Sequence, residues 1–525
     1  MMSPVQTGSI RMAYVFGTGN PDVLDYTSGV TDGDDNIEGY SGDDVIYGRG
    51  GNDTIFGDFE LHTNGTGNDT IFGGDGDDDI IGDRGIDTLY GEAGNDYFSM
   101  RYDTYIDDVY GGSGTDTLGF FAFSRGVVVN LTTEKYYVVG GEEGTHTVSG
   151  VENVVGTSEN DRIAGNAANN QLWGGLGDDI LNGGDGNDFF DGGDGRDTLN
   201  GGAGNDIFQF YSAGRYFDDI DGGAGVDRLQ LSDIYTYGVV VDLVSGIYGS
   251  PGVPGTDDRT IKNVENVFGT QLGDTIRGSS VANELRGNEG NDVLDGRGGA
   301  DILRGNDGND TLIGGAGGDQ LWGGAGRDAA SYAGAGAGVT ANLANVAANL
   351  GDAKGDSYAS IESIFGSSFA DNLVGNALSN SLNGAAGSDI LSGGGGNDGL
   401  SGSTGNDRLI GGSGVDKLSG GSGADVFDFN SLAESTRSSR DTILDFSHAQ
   451  KDRIDLSTID ASTASGNNAF KFFGTGSFSG VAGELRYNKN DEITIVSADF
   501  NGDKVADFQV ELTGSLTLSA SDFIL

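Results

Sequence analysis

Cysteine is absent from all 525 positions, which removes disulfides, thiolate metal sites and thiol catalysis together and leaves the redox compartment without a marker. Histidine occurs three times, at His62, His146 and His448. No two stand four apart, so the HExxH face that holds zinc in a metalloprotease is missing. There is no G-x-S-x-G elbow leading into a helix, and so no sequence support for a serine hydrolase. Basic residues are scarce: 28 Lys and Arg stand against 81 Asp and Glu, a formal net charge of -53. Phosphate recognition needs clustered Lys and Arg, so the balance argues against nucleic acid as a partner. Cations are the natural counter-species. No apolar run approaches the ~18 residues that cross a bilayer, and no transmembrane segment is expected. The opening stretch MMSPVQTGSIRMAYVFGTGNP has neither the basic leader nor the apolar core of a cleaved signal.

What the chain has is glycine, 98 residues of it, and the glycine is periodic. From Gly174 to Gln209 the sequence reads GGLGDDILN, GGDGNDFFD, GGDGRDTLN, GGAGNDIFQ, with Asp179, Asp188, Asp197 and Asp206 at one position of successive nonapeptides. A fixed short period marks a repeat architecture. Glycines at positions one, two and four open left-handed backbone and let carbonyl oxygens crowd inward. The last three residues, such as Ile180, Leu181 and Asn182, suit a very short strand whose middle side chain points one way and its neighbours the other. Two nonapeptides then make one turn of a flattened right-handed coil, and stacked turns bury a ladder of Leu, Ile and Phe. High glycine and high charge would ordinarily read as disorder. The regular apolar position argues instead for an all-β chain folded as a right-handed parallel β-roll.

Stacking brings Asp residues 18 apart, such as Asp179 and Asp197, to about a strand spacing of ~4.7 Å, where like charges repel. A hard cation held by six or so oxygens, from carboxylates and loop carbonyls, turns that repulsion into a bond. Calcium is the expected ion, because the repeats offer neither Cys nor His for zinc. Four arrays carry the ligand position. The first places it at Asp35, Asp44 and Asp53, slips over FELHTNG, and resumes at Asp69, Asp78, Asp87 and Asp96. The second has Asp161, Asn170, Asp179, Asp188, Asp197 and Asp206. The third has Asp274, Asn283, Asp292, Asp301, Asp310, Asp319 and Asp328, and the fourth Asp371, Asn380, Asp389, Asp398, Asp407, Asp416 and Asp425. Isolated copies at Asp116 and Asp227 read as single repeats that close an array. Asp pairs 18 apart give about 14 potential calcium sites, with about three more in which Asn is one partner and binding is expected to be weakest.

A larger repeat is superimposed on the small one. Three inserts each have a β-branched strand, GVVVNL at 126, GVVVDL at 238 and GVTANL at 338, and each closes on an apolar, acidic turn, VENVVGT at 151, VENVFGT at 264 and IESIFGS at 361. The Asn recurs in the second repeat of the second, third and fourth arrays, which implies duplication of a module about 100 residues long. The expected organisation is a lead-in over 1–30, arrays over 31–118, 156–228, 269–328 and 366–428, β-rich inserts over 119–155, 229–268 and 329–365, and a C-terminal β domain over 429–525.

These GGxGxDxUx units resemble the RTX (repeats-in-toxin, haemolysin-type calcium-binding) family. The resemblance extends from about Asp32 to Leu525, and implies a calcium-loaded β-roll in a protein exported by a bacterial type I secretion system. Past Asp425, DTILDF at 441, DRIDL at 452 and ADFNGDKVADFQV at 498 are similar to the C-terminal domain of serralysin-type secreted proteins. In that family the terminal residues belong to an uncleaved secretion signal, which would here be Asp522, Phe523, Ile524 and Leu525. The type I machinery is the partner this implies. Serralysins are zinc proteases, but their HExxH motif has no counterpart here, so only the export and calcium modules carry over.

Two smaller features remain. Asp499, Asn501, Asp503 and Asp507 alternate like calcium-loop ligands, without the EF-hand glycine and distal glutamate; an acidic surface turn is the competing reading. Asp441, Asp445 and Asp452 are placed to act as ligands or caps at the end of the roll. Tyrosines 102, 105, 110, 136, 137, 211, 216, 235, 237 and 248 gather around the first two inserts, where they would either meet glycans or a cell surface or pack against the roll. The functional expectation is a non-enzymatic, secreted calcium-binding protein that folds outside the cell, in a matrix, surface-layer or adhesive role. The alternative is a secreted enzyme acting on polysaccharide or protein, with its site in the inserts.

Overall fold

Each repeat ends in one apolar side chain between two more polar ones, and in the computed structural model these residues form strands that hide the middle one. The structure describes residues 12–58, 67–101, 106–141, 145–210, 217–232, 236–250, 259–461 and 468–525. Ile180–Asp185 and Thr198–Ala203 run parallel with Leu181 opposite Leu199. On the other side of the turn, Gln171–Leu176, Phe189–Asp194 and Ile207–Gln209 stack likewise, Leu172 on Phe190 on Phe208. All five side chains are fully buried. Pairing of residue i with i+18 is what a coil of two nonapeptides per turn requires, and the fold is the expected parallel β-roll. Burying each Leu or Phe of the ladder contributes ~1.5–3 kcal/mol. Among the described residues the helical elements are three short 3-10 turns.

The chain divides into two units, Met1–Phe268 and Gly269–Leu525. In the first, one face is an all-parallel ladder that passes from Thr117–Gly119 to Asn153–Val155 and on to Gln171–Leu176. The opposite face is interrupted by the first insert. There His146–Ser149 pairs in parallel with Asp108–Ser113, Lys135–Val138 pairs antiparallel with it, and Val127–Asn130 returns antiparallel before pairing in parallel with Arg162–Ala164. The second insert repeats the device with Arg259–Lys262, Ile247–Gly249 and Val240–Asp242, the first of them lying parallel to Asp219–Ala224.

In the second unit the third insert differs. Ser357–Ala359 lies parallel to Gln320–Ala325, and Thr340–Asn342 lies parallel to Asn372–Val374. Two 3-10 turns, Val346–Ala348 and Gly351–Ala353, take the place of the antiparallel pair. Past the fourth array the parallel ladder continues: Asp441–Ile443 pairs with Lys417–Ser419, and Arg453–Asp455 with Val426–Asp428. Phe508–Thr513 then pairs with Asp441–Ile443 and carries the antiparallel strands Ile493–Asp499 and Glu484–Lys489, while Phe523–Ile524 adds in parallel to Arg453–Asp455.

Candidate metal centre

Parallel stacking fixes the first oxygen of each carboxylate. The Asp161 N–H donates to Oδ1 of Asp179 at 2.7 Å, Asp179 to Asp197 at 2.8 Å and Asp188 to Asp206 at 2.8 Å. The same bond joins the other Asp pairs 18 apart. It also runs from the N–H groups of Asn170, Asn283 and Asn380 to Asp188, Asp301 and Asp398. The predicted partners are therefore brought together, each carboxylate bonding the main chain of the turn before it.

The second oxygen is left over. Oδ2 of Asp44, Asp53, Asp69, Asp78, Asp87, Asp96, Asp179, Asp188, Asp197 and Asp206 is buried with no hydrogen-bond partner. The same holds in the second unit for Asp292, Asp301, Asp310, Asp319, Asp328, Asp389, Asp398, Asp407, Asp416 and Asp425. A buried carboxylate oxygen without a donor is strongly destabilising unless a positive charge meets it.

The place where such a charge fits is defined by the first glycine of the repeat. A Cβ added at Gly183 would collide with Asp188 Oδ2 and lie 2.7 Å from the Gly201 carbonyl oxygen; Gly174, Gly192 and Gly201 are likewise overhung by Asp179, Asp197 and Asp206. Position one answers to the crowding of oxygens in the sequence reading and not to left-handed backbone. Gly184 and Gly186 take the expected positive φ, 115° and 118°, whereas Gly183 is needed because a side chain would fill the space that carboxylate and carbonyl oxygens share. Among the described residues no three His, Cys, Asp or Glu side chains group as a metal site. A cation here must combine carboxylate with main-chain oxygens, the donor set of calcium rather than zinc.

Electrostatics agree. Burial, reinforced by the facing carboxylates, pushes Asp53, Asp188, Asp301 and Asp389 up to about 7. Asp69, Asp179 and Asp292 are pushed to about 8, against the opposing pull of the N–H each accepts. These carboxyls resist ionising without a counter-charge.

Four predicted ligands stand apart. In the first Asp of each array, Asp35, Asp161, Asp274 and Asp371, Oδ2 accepts the N–H of the residue four before it, from Thr31, Thr157, Thr270 and Ser367, at 2.6 Å in each case. The same hydroxyls donate to Oδ1. These carboxylates are satisfied by protein alone. The Asn positions are closed in the same way, Oδ1 of Asn170, Asn283 and Asn380 accepting from Asn166, Ser279 and Asn376.

The array ends bring in acids that the nine-residue period did not single out. Asp87, Asp197 and Asp319 donate their N–H to Oδ1 of Asp107, Asp218 and Asp356. Asp116, Asp227 and Asp328 donate to Oε2 of Glu152, Glu265 and Glu362, the glutamates of the three VENVVGT-like turns. Asp441 and Asp452 likewise cap Asp416 and Asp425, and Asp445 accepts from Ser419, Gly420 and Gly421.

The acidic loop at 499–507 closes on itself. Asp499 accepts the N–H groups of Gly502 and Lys504, Asn501 that of Asp503, Asp503 that of Val505, and Asp507 that of Phe500. Its alternating oxygens take up the loop's own N–H groups, as the surface-turn reading expects. Of the insert tyrosines, Tyr136 and Tyr248 are fully buried, Tyr237 packs edge-on against Phe217, and Tyr110 stacks on Tyr90 at 4.8 Å. Tyr137 is 41% exposed. Tyr102, Tyr105, Tyr211, Tyr216, Tyr235 and His62 lie outside the described residues. His448 bonds Asp522 at 2.7 Å.

Comparison with known proteins divides the chain between two families. The model of the RTX calcium-binding nonapeptide repeat (4 copies) matches residues 30–59, 65–89, 77–99, 146–181, 155–190 and 173–208. The Peptidase M10 serralysin C terminal matches 275–525. Neither match includes a protease domain. Metalloprotease AprA of Pseudomonas entomophila (strain L48) is 35% identical over 95 residues, so this chain spans 19% of that protein and the match takes up 18% of this one. Two solution structures from the Azotobacter vinelandii mannuronan C5-epimerase, the AlgE6R2 and AlgE6R3 subunits, are 30% and 31% identical. They cover 29% and 30% of this chain and 90% and 78% of their own, with TM-scores of 0.23 and 0.17.

Proposed function

The chain is an RTX-family calcium-binding protein with a serralysin-type C-terminal part, and from that premise we propose that it is exported by a type I machinery and folds on extracellular calcium. We infer a structural role, as a matrix, surface-layer or adhesive component. The observation that carries this reading is the row of buried Oδ2 atoms facing glycine carbonyls, ligand sets that need a cation to be stable. Calcium supplies, when bound, the positive charge that cancels the repulsion of stacked carboxylates. The residues do the rest. Asp Oδ1 holds the preceding turn, Oδ2 and the glycine carbonyls form the seat, and Leu and Phe close the core behind it.

At cytosolic calcium the seats lack their counter-charge, and the unfolded chain is favoured; external calcium binds the folded state and draws the equilibrium toward it. Chelator-treated protein should give a coil-like far-UV circular dichroism spectrum and gain β signal on addition of calcium. A spectrum indifferent to calcium overturns the reading.

The enzymatic alternative has a place to be tested, a groove of about 370 Å³ beside the third insert lined by Asp295, Arg297, Ser331, Tyr332 and Asp352. Two carboxylates and an arginine among its lining residues are side-chain types that glycan chemistry uses. Turnover of a polysaccharide by calcium-loaded protein, abolished in Asp352→Asn, would favour this alternative over the structural role.

A further inference from the structure

Positive charge is scarce in this chain, 28 Lys and Arg against 81 Asp and Glu, yet one open cavity of about 320 Å³ past the roll is lined by three cations and no carboxylate. The antiparallel strands Glu484–Lys489, Ile493–Asp499 and Phe508–Thr513 build its floor. Arg486 stands opposite Ser497, and Ser497 opposite Gln509, so the three side chains form a row on one face of the sheet. Their neighbours Leu485, Val496 and Val510 are buried on the other face. Arg486 is anchored on its own strand, donating Nε and Nη2 to the Glu484 carboxylate at 3.3 Å each. Its Nη1 makes no hydrogen bond among the described residues. Gln509 is spent in both directions, Nε2 donating to Ser497 Oγ at 3.0 Å and Oε1 accepting from Arg440 at 3.2 Å. Ser497 therefore keeps its own hydroxyl hydrogen for a ligand.

The acidic loop at 499–507 supplies one side of the rim. Asp499 accepts the N–H groups of Gly502 at 2.7 Å and Lys504 at 3.0 Å, and Lys504 sits at a φ of 71°, a conformation that a lysine adopts only where its surroundings impose it. Its side chain crosses the neighbouring segment, where a Cβ added at Gly480 would lie 2.8 Å from Lys504 Cε. The loop spends its carboxylates on its own backbone and presents a lysine to the cavity. Arg437 joins the rim from the connection between Val426–Asp428 and Asp441–Ile443. The nearby acids Glu484 and Glu511 are taken by Arg486 and Arg440, each at 3.3 Å. Arg437 and Lys504 have no acidic partner among the described residues.

We propose that this cavity binds a sugar unit of an acidic glycan, one that carries a carboxylate or sulfate group. Arg437, Lys504 and Arg486 Nη1 meet the anionic group, the arginines through the planar fork that suits it. The Ser497 hydroxyl donates to a sugar oxygen, and Phe478, the one aromatic ring of the lining, offers a surface to the sugar's C–H face. A few fixed polar groups beside an aromatic ring are the usual make-up of a ligand pocket, and the volume stands at the low end of the ~300–1,000 Å³ range, room for one or two sugar units. The site deepens the adhesive role by naming a ligand class. It rests on the calcium reading in one respect: filled calcium seats remove most of the negative charge that would repel an anionic ligand.

Titration calorimetry on the full chain in calcium tests it, with trigalacturonate, a sulfated disaccharide, neutral maltotriose and inorganic sulfate as probes. At least one of the two anionic sugars should bind and maltotriose should not. Arg437→Gln and Lys504→Gln, both at exposed positions, should each weaken that binding about tenfold or more, the loss of one charge-assisted contact. Affinity unchanged in both variants places the sugar elsewhere, as a calcium-bridged contact on the roll would, and overturns the proposal. So does wild type that binds neither anionic sugar, and inorganic sulfate that binds as tightly as the sugars reduces the cavity to an anion hole and overturns the glycan assignment. Far-UV dichroism run alongside keeps the two readings apart: a spectrum indifferent to calcium overturns the calcium reading, and the calorimetry still decides the cavity. Should a variant lose its fold, wild-type crystals soaked with the binding sugar decide, density in the cavity supporting the proposal and an empty cavity overturning it.

Discussion

Gly183→Ala places a methyl group where the structure leaves room for a cation. Gly183 has ordinary backbone angles, unlike Gly184 and Gly186, so alanine there is not penalised for left-handed geometry. Its Cβ would instead collide with Asp188 Oδ2 and stand 2.7 Å from both Asp188 Cγ and the Gly201 carbonyl oxygen. Carbon–oxygen contacts this short force the carboxylate away, an overpacking cost of about 1–3 kcal/mol. The seat between those oxygens is lost as well. For a site of about 0.1 mM affinity in about 10 mM calcium, binding stabilises the fold by about 2.7 kcal/mol. The summed loss is then about 4–6 kcal/mol in calcium, and only the overpacking part without it. Calcium titration followed by far-UV dichroism should show a higher midpoint, and native mass spectrometry one ion fewer. Gly399→Ala is the matched control, because a Cβ there meets nothing within 4 Å; it should be neutral or slightly stabilising. If Gly183→Ala bound the same number of ions with the same midpoint, the shared oxygen seat would be refuted.

Further outcomes follow from the same geometry. Asp179→Asn should cost one calcium, whereas Asp161→Asn should cost none, since Thr157 already occupies both Asp161 oxygens; equal losses in native mass spectra would contradict this. Leu181→Ala, at a fully buried position, should lower stability by about 2–5 kcal/mol with the ion count unchanged, read by thermal unfolding in calcium. The pH dependence of chelated protein should run opposite to ordinary acid denaturation. Burial raises Asp96 to about 6, Asp53 to about 7 and Asp69 to about 8, above an unfolded value near 3.9. The folded state therefore holds more protons than the unfolded one. Its stability is fully present below about pH 4 and is lost as pH rises through about 6 to 8. Far-UV β signal in chelator should rise on acidification from pH 8 to 4; a steady fall over that range would contradict the assignment.

The nonapeptide was legible in the sequence because its period exposes every role at once: the apolar residue that becomes Leu181, the carboxylate that becomes Asp188, the flexible backbone at Gly184 and Gly186. Position one was legible as a place where oxygens crowd but not which oxygens, because the collision at Gly183 involves the Asp188 carboxylate and a carbonyl 18 residues on. The array starts carried a signal in plain view, a Thr or Ser four residues before Asp35, Asp161, Asp274 and Asp371, whose meaning depends on the N–H reaching Oδ2. The array ends were hidden by variable spacing. Asp116 reaches Glu152 across 36 residues, Asp227 reaches Glu265 across 38, and Asp328 reaches Glu362 across 34. No fixed period finds these, yet the recurrence of an acid at one place in VENVVGT, VENVFGT and IESIFGS did mark them. The antiparallel strands of the first two inserts had no local signature of direction. Their order is set by the need to rejoin the same face of the roll.

The central claim is that each orphaned ladder oxygen marks a calcium seat. Native mass spectrometry of the full chain, with calcium and after chelation, tests it most directly. One ion per buried, unpartnered Asp Oδ2 of the ladder gives on the order of twenty calcium ions per chain, more than the about 14 counted from Asp pairs 18 apart in the sequence, all released by chelator with loss of the compact charge envelope. A handful of ions, or a compact envelope that survives chelation unchanged, would contradict it.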